Sequence, residues 1–372
     1  MYGAPRSAGS AAVNPVFNGD ARICQINAVD TATTTNVNGT VDAYNNVDNW
    51  PLAFVNGPNT FSIDDAQNSE HPLTDEQGFS KAIQCVANPA IAANLLVSAA
   101  IPVESFDLCD YIAQALTLSF WVFSPFAGPH YVTLYGGATG VPGSGPSFAA
   151  PYRVNVANAW EKKIIPISFP VADFNIVPNG ARALTILFPL IVGANFRFAA
   201  NFIGTWNSGG SNVITGADHQ QVVNGALIRF TDVAIRPGTD QSFPRQNFGD
   251  ALQQAKRYYW QTFQYGQIPV QGLGALARTG AITYRATNAG AVAAGIMLRH
   301  PRQMRAAPAV TFFNTSAANT NWRNETGGAD SGAAAVDAIT SDNDSTFVQN
   351  PQVAGDAAGN TIAVAATFNA RL

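Results

Sequence analysis

Most of this chain alternates. In Leu116-Thr-Leu-Ser-Phe-Trp-Val122, Leu116, Leu118 and Phe120 fall on one side of an extended backbone, with Thr117, Ser119 and Trp121 on the other. That period of two marks a half-buried strand. Trp121 on the polar side implies that this face is either covered by another element or displays an aromatic. Similar runs predict strands at 22–29, 80–86, 116–123, 131–135, 152–156, 163–167, 183–190, 196–202 and 227–235, then at 281–285, 291–298, 309–313, 333–339 and 361–368. In the last of these, Ile362, Val364, Ala366 and Phe368 share one face, as a terminal strand packed against a core requires. Residues 136–146 and 207–212 are too Gly-rich for strand interiors and read as exposed loops. Residues 271–278 read as loop or strand. Residues 314–331, polar and Gly-rich around Trp322, read as a surface loop able to touch a neighbour. Many short strands with loops gathered at their ends predict an all-β fold of β-sandwich or jelly-roll domains.

One stretch breaks the alternation. Phe248, Ala251, Leu252, Ala255, Tyr258, Tyr259 and Thr262 recur at spacings of three and four, opposite Gln253, Gln254, Lys256 and Arg257. This is a helical pattern, capped by Asn247, with Asp250 in the first turn and the bases later, as the helix dipole favours. Leu252, Tyr258, Tyr259 and Trp260 are its expected packing residues. At 372 residues the chain exceeds what one core usually holds, so the helix is expected to join two β domains. The expected boundaries are an arm at 1–17, a jelly roll at 18–240, the linker helix at 241–264 and a second β-sandwich at 265–372.

Charge changes the picture of partners. Charged residues are 12% of the chain and apolar ones 47%, which leaves a neutral surface rich in amides, hydroxyls and turns. Four lysines and sixteen arginines against twenty-four acids leave no basic stripe for a phosphate backbone, so nucleic acid is not an expected partner. Low charge also removes a defence against association, which suggests that partner subunits cover part of the surface. Residues 1–17 are rich in Ala, Gly, Ser and Pro. An arm of that composition cannot repay its own ordering entropy, so Tyr2, Pro5 and Arg6 are expected to be held by a neighbouring protein. The N-terminus lacks the charged-then-apolar order of a secretory signal, and no apolar stretch is long enough to span a bilayer. Synthesis in a cytoplasm without membrane insertion is the expectation.

Reaction chemistry is sparse. Phosphate loops, H-E-x-x-H, G-x-S-x-G and C-x-x-C are absent from the sequence. Cys24, Cys85 and Cys109 are odd in number and widely spaced, and read as small buried hydrophobes. His71, His130, His219 and His300 are scattered singly. Asp64 with Asp65, Asp107 with Asp110, and Asp342 with Asp344 are the candidates by proximity for a glycosidase reading, and each reads better as turn capping or solvated loop. No metal or cofactor is expected. Sugar binding needs aromatic faces with amides nearby. Trp50, Trp121, Trp160, Trp206 and Trp322 supply rings, though a tryptophan in a β-sandwich more often packs. Trp206, beside its Gly-rich loop and with Asn207 and Asn212 for hydroxyls, is the candidate glycan contact.

The run Ser242 to Tyr259 resembles a segment recurring in bacteriophage and prophage virion proteins. There a helix of the form E-L-x-x-C-Q-R-Y-Y lies between a carbohydrate-binding-module-like jelly roll and a second β-sandwich; Ala255 stands here at the position of the usual Cys. Residues 102–110, 116–122, 159–163 and 204–206 follow the same order upstream. Downstream, 298–308 resembles the family's "M-R-x-x-P" strand entry, and 366–372 its terminal strand. The resemblance implies a non-enzymatic structural protein on the virion surface, made in the host cytoplasm, with other virion proteins as partners and a homotrimeric state. Having no reaching shaft, the chain is expected to be a capsid decoration or head-spike subunit. A tail-fibre or tail-spike receptor-binding adhesin is the alternative, and a non-virion glycan-binding module or glycan-degrading enzyme is the reading from another class.

Overall fold

The computed structural model describes residues 14–26, 33–37, 42–43, 48–50, 52–55, 59–66, 82–87, 93, 96–111, 114–136, 145–168, 179–198, 204–207, 214–215, 226–287, 293–339, 341–353 and 355–371. Tyr2, Pro5, Arg6, His71, Asn212 and His219 lie outside them. The fold is all-β, with three short helices among the described residues. Its contacts divide the chain into two compact units. One holds residues 1–22, 30–247 and 372, and the other 23–29 and 248–371.

The strands of the first unit are β1 (Thr33–Val37), β2 (Asp42–Ala43), β3 (Leu52–Val55), β4 (Asn59–Ala66), β5 (Ala82–Ala87), β6 (Leu96–Glu104), β7 (Ala115–Ser124), β8 (Gly128–Gly136), β9 (Ser147–Val154), β10 (Ala159–Ser168), β11 (Arg182–Val192), β12 (Arg197–Phe198), β13 (Trp206–Asn207), β14 (Ile214–Thr215) and β15 (Ala226–Pro237). A turn of helix, α1 (Ser105–Leu108), follows β6. One sheet has the order β1-β4-β5-β15-β7-β10 and the other β13-β9-β8-β11-β6-β3-β2. The pairing is nested: β8 with β9, β7 with β10, β6 with β11 and β5 with β15, all antiparallel. An antiparallel ribbon paired in this way and then wrapped on itself brings β15 beside β7 and β11 beside β8, both of which are observed. That is the jelly-roll topology, and it follows here from the register itself.

The two sheets close on aromatic rings. Phe120 of β7 meets Phe188 of β11 edge-on at 5.0 Å and Tyr152 of β9 at 5.2 Å, while Phe188 stacks on Phe230 of β15 at 4.3 Å. Each such ring stabilises the sandwich by about 1.5–3 kcal/mol through burial alone. Strand β11 is buried at every position, so it reads as a continuous apolar run rather than an alternating one.

Residues 14–22 clasp β15 where its ladder breaks between Thr231 and Ala234. The Asn14 amide donates to the Val233 carbonyl and its oxygen accepts from Ile235 N–H, both at 3.1 Å. Gly19 is required there, because a Cβ would lie 2.1 Å from the Val233 oxygen. The clasp buries an ionic cluster, with Asp20 paired to Arg22 and Asp232 to Arg245. Burial, with Asp232 nearby, holds the Asp20 carboxyl above its ordinary range against the pull of Arg22.

The second unit contains α2 (Phe248–Ala255), β16 (Tyr259–Gln261), α3 (Ala275–Arg278), β17 (Ile282–Arg285), β18 (Ala293–Arg299), β19 (Ala309–Phe313), β20 (Asn321–Asn324), β21 (Ala329–Ala333), β22 (Ala335–Val336), β23 (Ser345–Pro351) and β24 (Thr361–Asn369). Strand β24 is its axis. Strands β16 and β19 pair with its C-terminal half, and β17 and β20 with its N-terminal half. As expected from the alternation, Ile362, Val364, Ala366 and Phe368 join one core cluster, together with Trp260, Trp322 and Val348. A separate cluster places Phe263, Ala277 and Ala365 together, with Leu273 and Phe313 against them. It closes over the small residue between the two paired halves of β24.

Five expectations need correction, the first being the strand at 22–29, whose described residues 22–26 form none. The helix stops at Ala255. Its last turn tightens through Arg257 N–H to Gln254 O and Tyr258 N–H to Ala255 O, and Tyr259 and Trp260 enter a strand rather than a helix face. Consecutive aromatics suit an extended chain, which sends Trp260 into the core while Tyr259 takes the opposite side. Within 314–331, expected to be a surface loop, 321–324 and 329–331 belong instead to the β20–β21 hairpin, with Trp322 fully buried. Of the strand expected at 333–339, Ala333 ends β21 and 335–336 form β22, while 337–339 form no strand. Residues 275–278 are a helical turn.

Candidate functional site

Three of the segments that carry the family resemblance converge, 242–259, 298–308 and 366–372. After α2, the Arg257 carbonyl accepts from Arg305 N–H at 2.9 Å and the Tyr258 carbonyl from Ala370 N–H at 2.8 Å. The Arg305 guanidinium donates to the Ala370 carbonyl at 2.8 Å and to the Arg371 carbonyl at 3.1 Å. Arg371 in turn lies over the Tyr259 ring, 4.1 Å from its centroid, a cation–π contact. On the other side of β16, Trp260 stacks on Phe368 at 4.1 Å and 4°. The Trp260 indole N–H donates to His300 Nδ1 at 3.2 Å. An indole nitrogen only donates, so Nδ1 accepts, and Nε2 carries the proton toward Thr346 Oγ1 at 3.2 Å. Burial lowers the pKa of His300, which suits this neutral tautomer. Leu252 is half-buried on α2, where Ala251 and Ala255 supply the buried face. Gln25 takes part from far upstream, its side-chain amide donating to the Tyr259 carbonyl at 2.7 Å. The arginines at 305 and 371 and the glutamine at 25 carry no periodic signal of their own, and only their place in the quoted motifs or in the finished fold marks them.

The candidate glycan contact is differently placed. Trp206 lies in the edge strand β13, half-buried, its ring 5.4 Å from Phe148 and its N–H bonded to the Ser168 carbonyl at 2.7 Å. It pairs with Phe148, whereas Asn207 pairs with Ser147. The pleat therefore sends the two side chains to opposite faces of the sheet, and they do not form one platform. The Asn207 side carries a register row of hydroxyls, Thr185, Tyr135 and Ser147. Burial raises the pKa of the Tyr135 phenol strongly.

Among the close carboxylates, Asp342 is engaged locally. Asp342 caps its turn, accepting from Asp344 N–H and Ser345 N–H at 2.8 Å each. Those bonds hold its pKa low. Asp107 and Asp110 are exposed around α1, and Asp64 and Asp65 are consecutive in β4. Burial lowers the pKa of His130, whose ring stacks on Tyr152 at 5.5 Å. Cys24 is buried as expected, but Cys109 is half-exposed. Among the described residues no group of three or more potential metal ligands gathers. The second unit also holds a cleft of about 430 Å³ lined by Lys256, Trp260, Thr262, Ile282, Ile296 and Leu298, among others.

No family model matches the sequence, and no curated protein matches it. Among solved structures, the chain is similar to the family 11 carbohydrate-binding module from Clostridium thermocellum in complex with a mixed-linked tetrasaccharide (11% identity, TM-score 0.30, 55% of this chain and 97% of that one). It is similar to the CBM22-2 xylan-binding domain from Paenibacillus barcinonensis (10%, 0.29, 51% and 92%). A third likeness is the tailspike protein 4 enzymatically active domain of Bacteriophage CBA120 (11%, 0.29), where the match covers 61% of this chain and only 22% of that domain. The jelly-roll assignment rests on the strand pairing described above.

Proposed function

We propose that this chain is a non-enzymatic structural protein of the bacteriophage particle surface, a capsid decoration or head-spike subunit made in the host cytoplasm and attached to other virion proteins through residues 1–17. One observation carries the reading. Arg257 to Trp260, Arg305 and Ala370-Arg371, in or beside three of the segments on which the resemblance rests, bond and stack with one another and with neighbours in those segments. A signature consumed in closing a fold is the signature of a scaffold. Two titratable groups are likewise engaged, Asp342 in a turn and His300 between Trp260 and Thr346. The test is quantitative mass spectrometry of gradient-purified particles from a lysate containing this protein. A stoichiometric presence lost on deleting residues 1–17 is the expected result. A chain found only in the soluble fraction overturns the proposal.

A second reading, recognition of a host glycan, is favoured by Trp206, which the Ser168 carbonyl and Phe148 hold in a fixed orientation at a sheet edge. Stacking on a sugar would be worth about 1–3 kcal/mol if it matches base–aromatic stacking. A Trp206→Ala protein that melts normally but no longer binds host cells supports this reading, whereas unchanged binding or lost stability makes the residue structural.

A further inference from the structure

A strand at the end of a sheet presents unpaired N–H and C=O groups that another chain can extend, and proteins blunt such edges by shortness, proline or charge. Strands β2, β13 and β22, each at the end of its sheet, are two residues long, and the edge strand β10 carries Lys162 and Pro166. Strand β18 is not blunted. It ends the order β18-β23-β22 and runs for seven residues without proline, its one charge being Arg299 at the last position. Its pairing with β23 is continuous from Ala293 to Arg299, with no bulge to twist it away. His300 N–H donates to the Asp344 carbonyl on the β23 side. The antiparallel register therefore turns the backbone groups of Leu298 and Ile296 toward β23, and those of Arg299, Met297 and Gly295 toward the open edge.

Beside this edge lies the cleft of about 430 Å³, with Ile296 and Leu298 of β18 on one wall and Trp260 and Ile282 of the facing sheet on the other. Trp260 and Ile282 belong to the core cluster around β24, and Ile296 and Leu298 pack against it, so the cleft is a side of the sandwich left open. The opposite side is shut by the chain itself, which passes from β21, ending at Ala333, straight into β22 at Ala335. A row of alternating backbone donors and acceptors is matched by an extended peptide, and the side chains that such a strand turns into the cleft must be apolar. Lys256 is the one charged residue lining the cleft and makes no ion pair, which calls for an acid on the occupant. The chain itself supplies none: residues 293–305 contain Arg299, Arg302 and Arg305 and no acid, so the β18 of a second copy would set cation against cation, and the one charged side chain in residues 1–13 is Arg6. We propose that the edge of β18 and the cleft beside it take an added β-strand from a different protein, a segment with apolar side chains at alternate positions and an acidic residue for Lys256.

Selection of a display library of random short peptides against the full chain tests this. Enriched peptides should alternate apolar residues and carry Asp or Glu, and a fluorescent synthetic copy of one gives the affinity by anisotropy. Met297→Pro removes an outward N–H without touching the pairing with β23, and should weaken that peptide by about tenfold. Met297→Leu, which keeps the N–H, should bind as the wild type does. Lys256→Gln should weaken the acid-bearing peptide but not its amide counterpart. If Met297→Pro melts low, hydrogen exchange on the wild type decides, the peptide protecting the amides of Met297 and Arg299. Peptides without alternation, unchanged affinity in a stable Met297→Pro, or unchanged exchange at those amides overturns the proposal. So does a wild type whose mass exceeds the 39.2 kDa of one chain and falls to it in Met297→Pro, which would give the edge to a second copy. The library contains no virion protein, so the proposed function stands or falls separately.

Discussion

The two units answer the same problem of closing a β-sandwich in opposite ways. In the first, pairing is spread along a nested ribbon, and the sheets meet on large rings, Phe120, Phe188 and Phe230. In the second, four strands pair with the single strand β24. Much of the surrounding interior there is polar: Asn324, Ser331, Asn350, Gln352 and Asp356 are all buried. Distributed pairing makes damage local. Pairing centred on one strand makes β24 and the side chains that fix it the weak point of the second unit.

The sharpest way to break this contrast is at Phe368. Its ring lies flat on Trp260 and edge-on to His300 at 5.4 Å, so Phe368→Ala opens a cavity at the point where β16 and β19 both grip β24. A loss of about 3–5 kcal/mol is expected for a buried aromatic, measured by urea denaturation. A matched change at the half-buried edge residue Trp206 should cost less. Equal losses at the two sites would remove the distinction between the units.

A smaller effect is expected in the polar interior. Asp356, fully buried, accepts from the Asn324 amide at 2.9 Å, Ser331 Oγ at 2.5 Å and Val353 N–H at 3.1 Å. Nearby, Asn350 and Gln352 both donate to the Tyr284 hydroxyl, at 2.7 and 3.0 Å. Asp356→Asn replaces one acceptor with a donor that faces other donors, which costs about 1–3 kcal/mol. Tryptophan fluorescence during denaturation should follow it, because Trp322 packs edge-on against Tyr284 at 5.3 Å. No loss of stability would show that the network is not what holds the β20–β21 hairpin down.

The same contrast explains what the sequence could tell. Strand β10, with one buried face, was legible from alternation, and so were β7 and β24, buried on both faces but with their large apolar side chains kept mostly to one side. Strand β6 was not, because Ser98, Ala99, Ala100 and Ile101 are all buried and its small and apolar residues fall on both sides, which leaves no period to read. The hairpin at 321–333 was misread because Asn and Ser ordinarily mark turns; here their side chains satisfy one another inside the fold. The helix ran long because Tyr258, Tyr259 and Trp260 fit both a helical and an extended pattern, and only pairing with Thr367 to Asn369 decides between them. Of the candidate glycan contacts, the ring of Trp206 was legible. The side of the sheet on which Asn207 lies was not, since it depends on register.

The smallest effect belongs to the first unit and has a defined pH window. Asp240 accepts from Ser242 N–H at 2.9 Å and from the Arg236 guanidinium at 2.9 and 2.7 Å. These contacts tie the segment after β15 to the strand. They lower the Asp240 pKa to about 2, the Ser242 backbone bond contributing most. A carboxyl depressed from its usual value of about 3.9 binds fewer protons folded than unfolded near that pH. Its contribution is therefore complete above about pH 4 and is lost as the pH falls toward the folded value. The side chain is 39% exposed, so solvent screening holds the contribution to about 1 kcal/mol or less. Asp240→Asn should thus be slightly less stable than the wild type at neutral pH, and the gap should narrow as urea melts are repeated at lower pH. A deficit that stays constant or widens in acid would mean that Asp240 acts through its shape in the turn rather than through its charge.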